Sequence, residues 1–317
     1  MYILKEIPED FVVIENIKLD LQQKGKYSYY LLSKQNLTTS RSLELISNSF
    51  KVNPKFINVA GLKDKNAVTS QHVSILHGKE KNFTHNNLQL KFIGKGNERL
   101  KLGNFKSNSF KITARNLNKK YHPINFIENY FDEQRFSKQN VEIGKLLLQK
   151  NFKKVISSLD INSDNPINDL KKIKNLRFYL HSYQSYLFNR YLSNLIVNSS
   201  KKQWNCKYSL GKFNFSDLEV QTKIPLISFD TDLKEFPFYE EILNEENISL
   251  DDFIIKQLPH LIDETTFRAS VVKVEDLKIT YEKDEIYENK NKAILSFSLP
   301  PGSYATILLK KIFTQPQ

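Results

Sequence analysis

The 317-residue sequence predicts an α+β fold: a mixed, mainly antiparallel sheet built from both ends of the chain, with a second module inserted between them. Three observations carry this. Runs rich in β-branched and aromatic residues crowd the first 115 positions, residues 123 to about 225 turn helical, and the tail from Ala293 returns to strand character before a closing helix. The expected domains are 1–150 with 279–317, and an insert at 151–278.

Taken in order, Phe11 to Ile14 and Tyr27 to Leu32 read as strands bounded by polar turns. Leu43, Ile46 and Phe50 recur at spacings of three and four, predicting a helix over 39–50 with Thr39 or Ser40 as its cap. Val68 to Leu76, Leu88 to Ile93 and Ser109 to Arg115 are further strands, and Gly94–Lys95–Gly96–Asn97 reads as a hairpin turn. The clearest helix runs from Leu176 to Val197, with Leu180, Tyr183, Leu187, Tyr191 and Leu195 on one stripe. Pro225, Pro237 and Pro259 break the pattern between Thr222 and Ile262. Ala293 to Leu299 is a strand, Pro300–Pro301–Gly302 a turn, and Tyr304 to Phe313 a helix that Ser303 would cap.

The composition excludes several classes. With 40% hydrophobic and 12% aromatic residues the chain can bury a core, which rules out global disorder. A single cysteine, Cys206, forbids an internal disulfide and any cysteine-based metal cage. No stretch reaches the roughly 18 apolar residues of a membrane span, and the charged N-terminus lacks a signal-peptide core, so a soluble, cytoplasmic protein is expected. Lys and Arg outnumber Asp and Glu by 47 to 35, a net +12 that points to a polyanionic partner. Oligomeric state stays open, a monomer being the simpler expectation.

The six histidines form no pair at metal-ligand spacing, and no Gly-Lys-Ser/Thr follows Gly94–Lys95–Gly96, so neither a metal nor a nucleotide cofactor is expected. One loop stands apart. Ala60–Gly61–Leu62–Lys63–Asp64–Lys65 sets a lone carboxylate between two lysines just ahead of a strand, with a glycine to permit a bend. Neighbouring cations favour the ionised carboxylate, and without a second carboxylate or a metal that suits nucleophilic work. Taken alone, Lys-Asp-Lys in a loop is usually a solvated turn.

Five separated segments resemble the TruD family of tRNA pseudouridine synthases. Ala60 to Gln71 is similar to the family's central motif, Pro8 to Glu15 to its N-terminal motif, and Asn129 to Phe136 to its Asn-Tyr-Phe…Gln-Arg-Phe signature. Gln184 to Asn189 resembles its helix motif and Leu299 to Thr306 its C-terminal one. The resemblance implies a cofactor-independent enzyme that converts a tRNA uridine, at position 13, to pseudouridine in a pseudouridine-synthase domain carrying a family-specific insert. It implies Asp64 as nucleophile, Phe11, Asn129 and Tyr304 lining the pocket, and Phe131 stacking on the target base. Lys5 and Lys63 are the candidate cations beside Asp64. Departures from the family pattern are Ser137 in place of a glycine, Tyr304 in place of a phenylalanine, and few glycines around Pro225 to Leu233. Whether the carboxylate attacks sugar or base, or assists cleavage, is open at this level. So are two other classes: a tRNA-binding chaperone, and a nucleoside glycosidase, which would need a second carboxylate.

Overall fold

The computed structural model describes residues 2–136 and 139–316, so Ser137 lies outside the described residues. In chain order, β1 (Ile3–Leu4) and β2 (Phe11–Asn16) precede β3 (Tyr27–Gln35), α1 (Thr39–Phe50), β4 (Ile57–Val59), β5 (Val68–Leu76), β6 (Phe83–His85), β7 (Leu88–Gly96) and β8 (Ser107–Leu117). Next come β9 (Phe126–Glu128), α2 (Asn140–Leu148), α3 (Phe152–Ser158), α4 (Pro166–Leu170) and α5 (Leu176–Ser199). They are followed by β10 (Gln203–Tyr208), β11 (Gly211–Ser216), β12 (Lys223–Leu226), α6 (Phe238–Glu246), β13 (Thr266–Ala269) and β14 (Val271–Lys273). Last in order are β15 (Glu275–Lys283), β16 (Asn291–Leu299) and α7 (Ala305–Phe313). Among the described residues no helix is long and apolar enough to cross a membrane.

The chain divides into two compact units, Met1–Asn125 with Lys273–Ala305, and Phe126–Val272 with Thr306–Gln317. These bounds differ from the expected 1–150 with 279–317 and 151–278, and packing explains the difference. Gly144 on α2 lies so close to α5 that a Cβ there would stand 2.3 Å from the Tyr179 carbonyl oxygen, which ties the segment after 126 to the second unit. The Lys310 and Lys311 side chains at the end of α7 pair with Asp132 and Glu128 respectively, and so draw residues 306–317 there too.

In the first unit a ten-stranded sheet, counted among the described residues, runs β15-β16-β8-β2-β5-β3-β7-β6, with β1 added on β8 and β4 on β5. All of its pairings are antiparallel except β2 with β5. That parallel pair needs a crossover, and β3, α1 and β4 supply it. The Tyr30, Leu32, Val73, Ile75, Leu88 and Leu90 side chains form a core with Ile46 and Phe50 of α1. Each such side chain contributes about 1.5–3 kcal/mol of burial. The cap of α1 is Thr38, whose hydroxyl accepts from the Arg41 N–H at 3.2 Å; Thr39 has other work, described below. Gly94 and Gly96 belong to β7, not to a hairpin turn. The register slips by one residue between Tyr29 and Tyr30, Gly94 takes a φ of +149°, and a Cβ on Gly96 would stand 2.5 Å from the Tyr29 ring. Ser303 does not cap α7: its hydroxyl is buried without a hydrogen-bond partner.

Register gathers polar groups at one end of this sheet. Val12 faces Val68 in the parallel pair, so the segment before β2 and the loop before β5 leave the sheet side by side. Lys34 faces Thr69 at the close of β3, and Arg115 near the close of β8 faces Ile3.

The second unit is organised on α5, where Leu180, Tyr183, Leu187 and Tyr191 of the predicted stripe are all buried. Two-stranded pieces, β10 with β11 and β12 with β13, accompany it.

Candidate active site

Asp64 sits in the loop between β4 and β5, with its side chain 36% exposed. Its Oδ2 accepts from Lys5 Nζ at 3.0 Å. Lys5 comes from 59 positions away, brought there by the parallel pairing just described. Its backbone adopts φ +59°, a left-handed conformation unusual for a residue with a Cβ, of the kind that concentrates at functional sites. The same ammonium lies 4.2 Å from the centre of the Phe11 ring, a cation–π contact. Phe11 is itself only 3% exposed and packs edge-on against Phe110. Lys5, Phe11 and Asp64 therefore form one cluster.

Lys63 points elsewhere. Its Nζ lies 2.8 Å from Glu15 Oε2, both side chains being almost wholly buried, and 4.8 Å from the centre of the Phe105 ring. Gly61 favours this closeness. A Cβ there would lie 3.0 Å from Lys63 Nζ and 3.3 Å from Phe105, so the glycine makes room for a neighbour and no positive φ is involved. Burial pushes the Glu15 carboxyl up, but hydrogen bonding from His72 and the charge of Lys63 outweigh it and hold the group below its ordinary value of 4.5. A carboxyl lowered on folding stabilises the fold above its unfolded value, and the gain is lost as pH falls through the folded one. Glu15→Gln is therefore expected to cost about 3 kcal/mol at neutral pH, by leaving the buried Lys63 ammonium unpaired. The gap from wild type should narrow below pH 4.5, as urea titrations at pH 7 and pH 4 would measure.

The main chain of the loop is pinned from beneath. Thr39 accepts from the Lys63 N–H at 3.0 Å and donates to Gln71 Oε1, while Gln71 Nε2 donates to the Gly61 carbonyl. Lys34, 2% exposed, donates to the carbonyls of Leu37 at 2.7 Å and Asp64 at 2.8 Å, with the Lys63 carbonyl at 3.4 Å. Burial pushes this ammonium down to about 8, against the charge of Asp64, which favours protonation; Lys63 lowers it further. Neither Lys34 nor Glu15 emerges as a site residue from the sequence. For Lys34 a signal was there: alternation along β3 puts it on the same inward face as Tyr30 and Leu32.

Immediately before Phe11 lies Asp10, buried against Arg115. Nε and Nη2 of Arg115 both donate to it, at 2.8–3.1 Å, and Nη1 reaches Asp284 at 3.1 Å. The Asp10 hydrogen bonds, ahead of the opposing burial, raise the Arg115 pKa above its ordinary value. Asp10 also accepts from the Ile7 N–H, which fixes the turn that carries Lys5 to Phe11. Tyr304, half-buried, follows the turn after β16 in this same unit.

Asn129 and Phe131 belong to the second unit. Asn129 is 5% exposed; its Nδ2 donates to the Ala269 carbonyl at 3.1 Å, and its Oδ1 accepts from Arg268 Nη2 at 2.5 Å. The Arg268 guanidinium lies 4.2 Å from the Phe131 ring centre and so braces both residues. Nothing in the sequence around Phe267–Arg268–Ala269 signalled that role. Asn189 of α5 donates to the Phe131 carbonyl and accepts from its N–H, which gives the last residue of the helix motif its role. Among the described residues no group of three or more His, Cys, Asp or Glu side chains is placed to hold a metal ion.

The family profile of tRNA pseudouridine synthase D (TruD) matches residues 2–175 and 208–312. The chain is 32% identical to the tRNA pseudouridine synthase D of Aquifex aeolicus, over 98% of its own length and 97% of the relative's. It is 28% identical to a Nanoarchaeum equitans protein named "Probable tRNA pseudouridine synthase D", over 99% of both chains. A solved TruD structure from Methanosarcina mazei superposes with a TM-score of 0.71, covering 98% of this chain and 92% of that one; at 22% identity this likeness bears on the fold. With the profile spanning most of the sequence, the chain belongs to the tRNA pseudouridine synthase D (TruD) family.

Proposed function

We propose that this chain isomerises uridine to pseudouridine in tRNA, at position 13, with Asp64 as nucleophile and without a cofactor. What carries the reading is the Asp64 carboxylate of a TruD-family chain: open to solvent on one side, paired with Lys5, and mounted on a loop tied down by buried donors. The reaction breaks the bond from C1′ to N1, turns the uracil, and joins C1′ to C5. The C5 hydrogen leaves as a proton and N1 gains one, so no electron acceptor is needed. Lys5 is the proposed cation for Asp64, because Lys63 is engaged by Glu15. Phe11, Asn129, Phe131 and Tyr304 are the proposed substrate-binding residues. Everting the nucleotide costs a few kcal/mol, and stacking on an aromatic side chain returns about 1–3 kcal/mol. The sheet-bearing unit is assigned the chemistry and the helical unit a part in holding tRNA, in a cytoplasmic setting.

Incubating the purified protein with unmodified tRNA and mapping pseudouridine by sequencing tests this. One new pseudouridine at position 13 is the expected result, and its absence overturns the reading. The exposed pairs Lys153–Lys154, Lys171–Lys172 and Lys201–Lys202 lead to a second expectation. tRNA affinity should fall steeply, linearly in log–log form, as salt rises from 50 to 200 mM, because phosphate contacts release counterions. Filter binding across that range measures the slope.

A further inference from the structure

We infer that Lys34 is a positioning residue for the isomerisation: its buried ammonium clamps the main chain at residues 63 and 64, and thereby aims the Asp64 carboxylate. The inference rests on the assignment of Asp64 above, and it extends the site to a side chain that touches neither base nor sugar.

Three features of its surroundings support this. Lys34 is almost wholly buried, yet among the described residues no carboxylate oxygen pairs with its Nζ; the contacts are the carbonyl oxygens of Leu37, Lys63 and Asp64. Burying an ammonium is costly, and a structural need for three carbonyls to be satisfied is more cheaply met by backbone N–H groups or a hydroxyl. What the ammonium adds is geometry. Its three N–H bonds diverge from one atom, so a single group fixes Leu37, the residue before the Thr38 cap of α1, and two successive peptide units of the Asp64 loop. Finally, Lys34 is the last residue but one of a strand whose partner β5 begins directly after the loop, so the clamp is anchored in the middle of the sheet. A carboxylate that must meet one carbon of an everted nucleotide gains from such anchoring, because reaction rate falls steeply with small misplacements.

The ionisable groups facing Lys34 are Asp64, which favours the ammonium, and Lys63, which opposes it. Thr39 on α1, Thr69 on β5 and Leu88 on β7 carry no charge. Loss of the proton removes one of three donors. The clamp should therefore loosen as pH rises through about 8, the value to which burial pushes this group.

Two measurements test the inference. Lys34→Met keeps the length and apolar stem of the side chain but carries no donor. Its single-turnover rate on unmodified tRNA should fall by about 100-fold while its tRNA dissociation constant stays close to wild type. In the wild-type protein, the single-turnover rate should decline above pH 8 with tRNA binding unchanged; this arm is independent of whether the variant folds. A folded Lys34→Met enzyme with a wild-type rate overturns the inference. So does a wild-type rate that holds level to pH 9.5, and so does a variant whose rate loss is matched by an equal loss of tRNA affinity. Failure of the wild-type protein to form any pseudouridine would instead overturn the functional assignment, which keeps the two readings separate.

Discussion

Asp64→Asn is expected to leave a folded protein that binds tRNA and forms no pseudouridine. The substitution is nearly isosteric. Apart from the pairing with Lys5, the contacts that hold this loop run through main-chain groups: the Lys34 bond to the Asp64 carbonyl, the Lys63 N–H on Thr39 and the Gln71 bond to Gly61. An amide disturbs none of them. What disappears is the negative charge that Lys5 meets at 3.0 Å, and with it the nucleophile. Removing a covalent nucleophile from an enzyme costs at least about 10,000-fold in turnover. Tritium release from tRNA labelled at uridine C5 reads the loss directly. Retained turnover would mean that another group does the chemistry. Filter binding on the same preparation separates a failed reaction from a failed complex.

Arg115→Met should be the most damaging single change to stability. Its guanidinium is the shared partner of Asp10 and Asp284, whose side chains are nearly or completely buried, and it reaches Glu285 at the surface. Breaking a buried pair by deleting one member leaves uncompensated charge, at about 3–5 kcal/mol. Here two carboxylates are stranded together. Urea unfolding followed by tryptophan-independent far-UV signals should show the midpoint move accordingly, and a shift of under about 1 kcal/mol would contradict the role assigned to this network. Activity should fall along with stability, because Asp10 also fixes the turn between Lys5 and Phe11 through the Ile7 N–H.

Much of this is legible in the residues. The strand at Val68–Leu76 and the helices at 39–50 and from Leu176 are legible because buried Val73 and Ile75, Ile46 and Phe50, and Leu180, Tyr183, Leu187 and Tyr191 recur at strand or helix spacing. The β10–β11 hairpin and the edge strand β15 are harder to read. In β10 and β15 apolar residues do alternate with polar ones, but no residue is fully buried and the apolar positions are few, so neither run stands out beside the core strands. α6 is hidden among prolines, having Pro237 itself as its N-cap. At the site, the motifs single out Asp64, Lys5 and Phe11, which the structure sets side by side, and Lys63, which it turns to another partner. Its neighbour in sequence is Asp64, yet its neighbour in space is Glu15, on a strand that only sheet register brings alongside. Lys34 and Arg268 act through backbone carbonyls and an amide, and such partners leave no mark on side-chain spacing.

The position of β8 between β2 and β16 bears on how the protein is made. During translation β2 can pair with β8 early, but β16 emerges from the ribosome only after some 180 further codons, about 10–35 s at ordinary elongation speeds. Throughout that wait one side of β8 presents a row of open amides and carbonyls, with Phe110 and Ile112 beside them, to any other nascent polypeptide. Co-translational chaperones should therefore engage the growing chain between these two points, and ribosome stalling placed there should raise aggregation more than stalling after Leu299.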